Sequence, residues 1–161
     1  MLSFPARYDL QMSREIRFEL DVDAPADIVW GVVSDMSRYV EWNPFVIRAS
    51  STCEVGAPIR MKVRLFSWFA QSQTEEITEF RAPERICWGL TGGGSSALRS
   101  RRCQVVASVD PSRSRYISEF QLSGWFAPVV MGLLSRRLAD GFRGMSDAVK
   151  ARAEQLHRKG G

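Results

Sequence analysis

The sequence predicts an α+β domain in which a curved, six- to seven-stranded antiparallel sheet wraps on a long C-terminal helix, with one or two short helices after the first strand. Three observations carry this. Runs with an apolar residue at every second position recur between residues 14 and 122, the period of half-buried strands. The connections between those runs are shorter than the dozen or so residues that a parallel crossover needs, so successive strands are antiparallel neighbours. Finally, one apolar stripe with steps of three and four runs from Val130 to Leu156, the spacing of a single helical face.

Each element follows from its residues. In 14–22, Ile16, Phe18, Leu20 and Val22 alternate with Arg17, Glu19 and Asp21, a strand with one buried face. The next segment reads DAPADIVWGVVSD. There Asp23 is placed to cap a helix, Pro25 suits its first turn and Asp27 its positive end. Ile28, Val29, Val32 and Val33 give that helix its stripe. A second helical turn over 36–40 stops at Trp42-Asn43-Pro44, because the residue before proline avoids the α region. Strands then fall at 45–50, 58–66, 71–81, 85–91, 98–109 and 115–122. In 58–66, Ile59, Met61, Val63 and Leu65 oppose Arg60, Lys62 and Arg64, and in 85–91, Ile86, Trp88 and Leu90 share a face. The inward face of 71–81 is undecided, since Ile77 and Phe80 fall on opposite sides. Gly92-Gly93-Gly94-Ser95-Ser96 reads as a hairpin loop: it lacks the lysine of a phosphate-binding loop and precedes a strand.

The terminal helix, expected over 128–157, opposes its stripe with Arg136, Asp140, Arg143, Asp147, Lys150 and Glu154. Its Gly132, Gly141 and Gly144 each cost about 1 kcal/mol against alanine, which is tolerable where the sheet or a ligand comes close. A helix laid across the concave side of a twisted sheet cannot fill the concavity, so an apolar cavity is expected between them. Residues 1–13 are read as a leader and 14–157 as one domain, with the last four residues frayed.

Composition narrows the function classes. Of 161 residues, 45% are hydrophobic and 25% charged, values of an ordinary globular chain. The net charge of +4 is dispersed and accompanies no nucleic-acid-binding motif, so no nucleic-acid partner is expected. Cys53, Cys87 and Cys103 are odd in number and widely spaced, which argues for free thiols and a reducing, cytoplasmic setting. No segment reads as a signal peptide or a membrane span, so no stable membrane insertion is expected. His157 is the only histidine and sits near the helix end, where no Ser-His-Asp, Cys-His or histidine-based zinc site can be assembled. No metal and no cofactor is expected.

The stretch APADIVWGVVSDMSRYVEWNP followed by VGAPIRMKV resembles the START-like (SRPBCC) superfamily, and most of all its bacterial polyketide cyclase/dehydrase and lipid-transport branch. The matching features are the small-Pro-small start before Val29-Trp30, the Ser34-Asp35 ending, Tyr39 ahead of Trp42-Asn43-Pro44, and Gly56 introducing the next strand. The resemblance implies a helix-grip fold around a ligand cavity. Members bind sterols, lipids, plant hormones or polyketides, and some catalyse cyclisation.

In that frame the aromatic residues become candidate pocket walls: Trp42, Phe45, Trp68, Trp88, Phe120, Trp125 and Phe142, joined by Asn43, Met61, Val63, Leu134 and Leu138. Asn43, Gln73, Glu75, Arg101 and Glu119 are the polar candidates. Facing inward with Cys103 and Val105, Arg101 would hold a carboxylate or enolate, paired otherwise with a glutamate; strand alternation equally allows it to face outward. The leading function is binding of a hydrophobic or amphipathic small molecule, lipid-like or aromatic polyketide-like. One alternative is a cyclase/dehydratase using Arg101 with Glu75 or Glu119. Another is a protein-interaction module akin to the chaperone-ATPase activators, presenting Trp68 and Phe69. A monomer or weak homodimer is expected.

Overall fold

The structure is a computed structural model and describes residues 15–91 and 97–160. The expected leader, the glycine loop at 92–96 and Gly161 lie outside the described residues. The chain runs β1 (Glu15–Val22), α1 (Ala26–Ser34), a 3₁₀ turn (Met36–Arg38), α2 (Tyr39–Trp42), β2 (Val46–Ser50), β3 (Pro58–Phe66), β4 (Phe69–Arg81), β5 (Arg85–Gly89), β6 (Arg99–Asp110), β7 (Arg113–Ser123) and α3 (Ala127–Gly160). The seven strands form one sheet in the order β1-β7-β6-β5-β4-β3-β2, every pair antiparallel. α3 touches β1 and β7 near one edge and β3 near the other. A helix can reach both only if the sheet curls round it, which is the helix grip.

Alternation sets the inner face. β3 buries Ile59, Met61 and Val63 and exposes Arg60, Lys62 and Arg64. β4 solves its ambiguity with a bulge between Ile77 and Glu79, which lets Ile77 pair with Trp88 and Phe80 with Ile86, all on the core side. The core has two parts: one around Phe45, Trp88, Phe142 and Met145, the other around Val22, Val33, Tyr116 and Val149, with Trp30 and Trp42 touching both.

Four expectations are corrected. Asp23 does not cap α1: Pro25 holds the cap position with no side-chain bond, and the N–H of Asp23 donates instead to Glu154 on α3 at 3.0 Å. Leu90 falls beyond β5 and is exposed. α3 continues in helical form through Gly160, past the expected fraying point. Cys87 and Cys103 are not free thiols: they stand opposite each other on β5 and β6 with Cα atoms 4.2 Å apart and form a disulfide, leaving Cys53 free. Sixteen residues of separation signal no motif in the sequence; the β5–β6 pairing turns that separation into adjacency. The argument from free thiols to a reducing compartment therefore loses its premise.

The glycines of α3 divide by environment. A Cβ on Gly141 would run into the ring of Phe45, whereas one on Gly132 would meet no atom within 4 Å. Phe45 in turn packs edge-on against Phe142 at 5.0 Å, so its ring has little room to retreat. We predict that Gly132→Ala raises stability by about 0.5–1 kcal/mol through helix propensity. Gly141→Ala forfeits that gain and lowers stability by about 1–2 kcal/mol through overpacking. Urea denaturation midpoints of the two variants should move in opposite directions.

Candidate functional site

Burial changes along α3 and locates the open part of the helix–sheet interface. From Phe142 to Ala153 the stripe is sealed: Phe142, Met145, Val149 and Ala153 are all buried, and only its last member, Leu156, is exposed. In the first half Val130, Met131, Leu134 and Leu138 are only partly covered. Facing them are Leu65 and Phe66 on β3, Phe120 on β7 and Ile16 and Phe18 on β1, also partly covered. The interface is thus closely packed at its C-terminal half and only partly covered at its N-terminal half.

The core also contains a buried polar chain. The Arg102 side chain enters the core from β6 and is 3% exposed. Its Nη1 donates to the carbonyls of Cys103 (2.8 Å) and Glu119 (3.1 Å), and its Nη2 to Tyr116 Oη (3.3 Å) and Met145 Sδ (3.8 Å). The guanidinium also lies 4.7 Å from the Phe142 ring centre, a cation–π contact. Tyr116 Oη donates to Gln104 Oε1 (2.7 Å), Gln104 Nε2 to Tyr39 Oη (3.0 Å), and Tyr39 Oη to the carbonyl of Val33 (2.6 Å). Burial pushes the Tyr39 phenol up, so it stays neutral and donates. Every hydrogen bond of Arg102 goes to a neutral group, and its Nε is buried without an acceptor among the described residues.

Glu75 is the second charged residue on the inner face. It sits opposite Ile59 of β3, two residues from Ile77, and accepts a hydrogen bond from Gln73 Nε2 at 3.0 Å. Burial pushes its carboxyl up to about 7 against the opposing pull of Arg102. It can therefore hold or release a proton near neutrality, while Arg102 favours an anion or enolate. Among the described residues no group of three or more His, Cys, Asp or Glu is placed to hold a metal ion.

The sequence-predicted residues separate into three groups. Asn43, Phe45, Met61, Val63, Trp88 and Phe142 are buried and packed, with Trp42, Phe120, Leu138 and Leu134 partly covered around them. Asn43 serves the chain itself: its Oδ1 accepts the N–H groups of Phe45 (3.0 Å) and Val46 (2.9 Å). Trp68 and Trp125 stand in solvent on end turns, 80% and 73% exposed. Of the polar candidates, Gln73 and Glu75 face in, while Arg101 and Glu119 face out. Arg101 pairs with Glu79 at 3.2 Å and Glu119 with Arg17 at 3.3 Å.

The inward cation is Arg102, one residue along, and the reason is a register shift. The β6–β7 hairpin begins with Asp110 opposite Arg113, but a bulge makes Ser108 pair with Ser114. Continued without the bulge, the pairing would set Arg101 against Leu122 and turn it inward; the one-residue slip sets Arg102 against Phe120 instead. β6 itself gives no help, because both alternating sets, Arg101-Cys103-Val105 and Arg102-Gln104-Val106, mix polar with apolar. Separately, a groove of about 790 Å³ lies beside the β2 edge, lined largely by outward residues such as Arg48, Arg60, Lys62 and Thr74. Met61 and Gln73 also line it, and Gln73 is the residue that donates to Glu75 on the inner face.

Comparison with known proteins places this geometry. The chain superimposes on a START superfamily protein from Mycobacterium smegmatis with a TM-score of 0.70 at 16% identity, covering 88% of this chain and 98% of that one. It matches the Zhui aromatase/cyclase from Streptomyces sp. R1128 with a TM-score of 0.69 at 18% identity, covering 92% and 98%. Norcoclaurine synthase from Thalictrum flavum, in complex with dopamine and hydroxybenzaldehyde, gives 0.64 at 16% identity, covering 94% of each chain. At such identities these likenesses speak for the fold alone. No curated protein matches the chain in sequence. The family described as polyketide cyclase/dehydrase and lipid transport does match, over residues 13–156, and with nearly the whole chain spanned this protein belongs to that family.

Proposed function

We propose that the chain binds an amphipathic small molecule whose apolar body lies under the partly covered first half of α3 and whose acidic or enolic end is drawn toward Glu75 and Arg102. The supporting observation is Arg102 itself, a buried guanidinium with no hydrogen-bonded carboxylate among the described residues. A buried cation is costly unless an anion offsets it, and an anionic ligand end supplies what the fold leaves out. A few polar groups at the back of an apolar cleft are also how small-molecule sites fix orientation.

A second reading has one observation in its favour. Glu75, ionising near neutrality, is suited to shuttle a proton on a ketone or enol held nearby. In this reading the chain is a cyclase or dehydratase, with Glu75 as acid–base and Arg102 polarising the carbonyl. The outward placement of Arg101 and Glu119 removes them from this mechanism.

The ligand reading predicts a pH dependence with a definite sign. Below about pH 7 the Glu75 carboxyl is neutral and donates to a ligand carboxylate; above it the two anions repel. A fluorescent long-chain fatty acid should therefore bind more tightly at pH 6 than at pH 8, by about tenfold for a repulsion of about 1.4 kcal/mol, and more tightly than the matching alcohol at pH 6. Glu75→Gln should flatten the profile. Absence of binding to both probes, or an unaltered profile in the variant, would sink the assignment. For the catalytic reading, Glu75→Gln should abolish turnover of a poly-β-ketone thioester while retaining its binding.

Stability offers an independent check. The folded carboxyl ionises near 7 and the unfolded one near 4.5, so the folded state loses stability as pH rises from 4.5 to 7 and the full cost stands above 7. At pH 8, Glu75→Gln is expected to be more stable than the parent by about 2–3 kcal/mol. At pH 4 the difference should vanish in chemical denaturation.

A further inference from the structure

Strand direction collects several chain turns at one end of the sheet. β3 passes to β4 there, β5 to β6, and β7 to α3. At this end Trp68 is 80% exposed, Leu133 78% and Trp125 73%, with Phe69, Phe126 and Val129 also exposed. Elsewhere the exposed large apolar residues are isolated, such as Val40, Val55 and Val109. Single exposed apolar side chains are ordinary, but a group on one end marks a surface that meets an apolar phase.

These side chains are held in place. The Arg137 guanidinium lies 4.4 Å from the Phe66 ring centre, which ties the β3–β4 tip to α3, and the Trp68 ring packs 5.5 Å from Phe66. Trp125 packs against Phe126 at 5.7 Å, and the N–H of Phe126 donates to the carbonyl of Ala97 at 3.0 Å, which ties the start of α3 to the end of the β5–β6 connection.

Charge identifies the partner. Segments 62–74, 85–91, 97–109 and 120–139 contain no Asp or Glu, yet carry Lys62, Arg64, Arg99, Arg136 and Arg137. Elsewhere several outward arginines are neutralised, Arg17 by Glu19 and Glu119, Arg115 by Glu19 and Asp21, Arg113 by Asp110, although Arg48 and Arg60 beside the β2 edge have no ion pair with any described residue. Lys62, Arg64 and Arg136 have no ion pair with any described residue. A second copy of this end would bring like charges together, which disfavours self-association. Aromatic and leucine side chains ringed by unpaired cations match instead a layer that is apolar within and anionic at its surface.

We propose that this end docks reversibly on an anionic lipid surface, with Trp68, Trp125 and Leu133 entering the interfacial layer and Arg64 and Arg136 meeting the phosphates. Among the described residues no helix is long and apolar enough to cross a membrane, and the proposed contact is a peripheral one. The partly covered first half of α3 begins at the same end. The docking claim stands whether or not the chain binds a fatty acid.

The test is cosedimentation of the full chain with vesicles of phosphatidylcholine alone and of phosphatidylcholine with about a quarter phosphatidylglycerol. Binding to the anionic vesicles should exceed binding to the neutral ones by about tenfold or more and fall steeply at about 0.5 M salt. Trp fluorescence should shift to the blue on binding. Trp68→Ser with Trp125→Ser, and separately Arg64→Glu with Arg136→Glu, should each weaken binding about tenfold without altering the thermal midpoint, since these side chains are exposed. No binding to either vesicle overturns the proposal, as does equal binding to both. So does a concentration-dependent dimer, seen by light scattering, that the tryptophan pair of substitutions abolishes.

Discussion

The rest of the structure hangs on the buried guanidinium of Arg102. It ties β6 to β7 through the Glu119 carbonyl and to α3 through Met145 and Phe142. Through Tyr116, Gln104 and Tyr39 it reaches α2 and the Val33 carbonyl of α1. One unbroken hydrogen-bonded chain therefore joins the sheet to every helix. Removing one member leaves the next group buried and unsatisfied, a cost of about 1–3 kcal/mol for a neutral group and more for a charged one. The chain fixes how deep α3 sits on the sheet, and so where it stops sealing it.

That stopping point is set by size as well as polarity. Gly141 lets the Phe45 ring press against the helix backbone, and Phe142 in the next position stacks on Phe45, Phe120 and Arg102. C-terminal to this knot the helix buries its stripe as far as Ala153. N-terminal to it the Leu134 and Leu138 side chains reach a sheet whose facing residues are fewer and only half covered. A wide apolar surface that neither sealed core nor open solvent accounts for is what a small-molecule site requires.

Much of this was legible in the sequence. The order of elements, the antiparallel sheet and the stripe of α3 follow from periodicity, because burial of one face imposes period two on strands and three to four on helices. What was not legible has physical causes in particular residues. Glu75 shares the parity of Ile77, so its inward direction could be read once the core side of β4 was known. Arg102 could not, since the bulge at Ser108 and Asp110 is a local backbone choice that reverses the parity of the whole strand. The Cys87–Cys103 bond was hidden for a related reason: it depends on which residues of β5 and β6 become opposite, and no spacing rule encodes that.

The polarity of the inner face then needs an explanation that packing does not provide. A buried arginine could be replaced by apolar side chains of similar volume with equal or greater stability. A glutamate whose ionisation costs the fold at neutral pH is likewise no aid to folding. The two sit on one inner surface, and neither is hydrogen-bonded to an opposite charge among the described residues. A stability account would predict their loss or their direct pairing. A ligand account predicts their separation: a cation to attract negative charge, and a carboxyl that is neutral when that charge arrives. The proposed ligand would supply the counter-ion that the described residues do not.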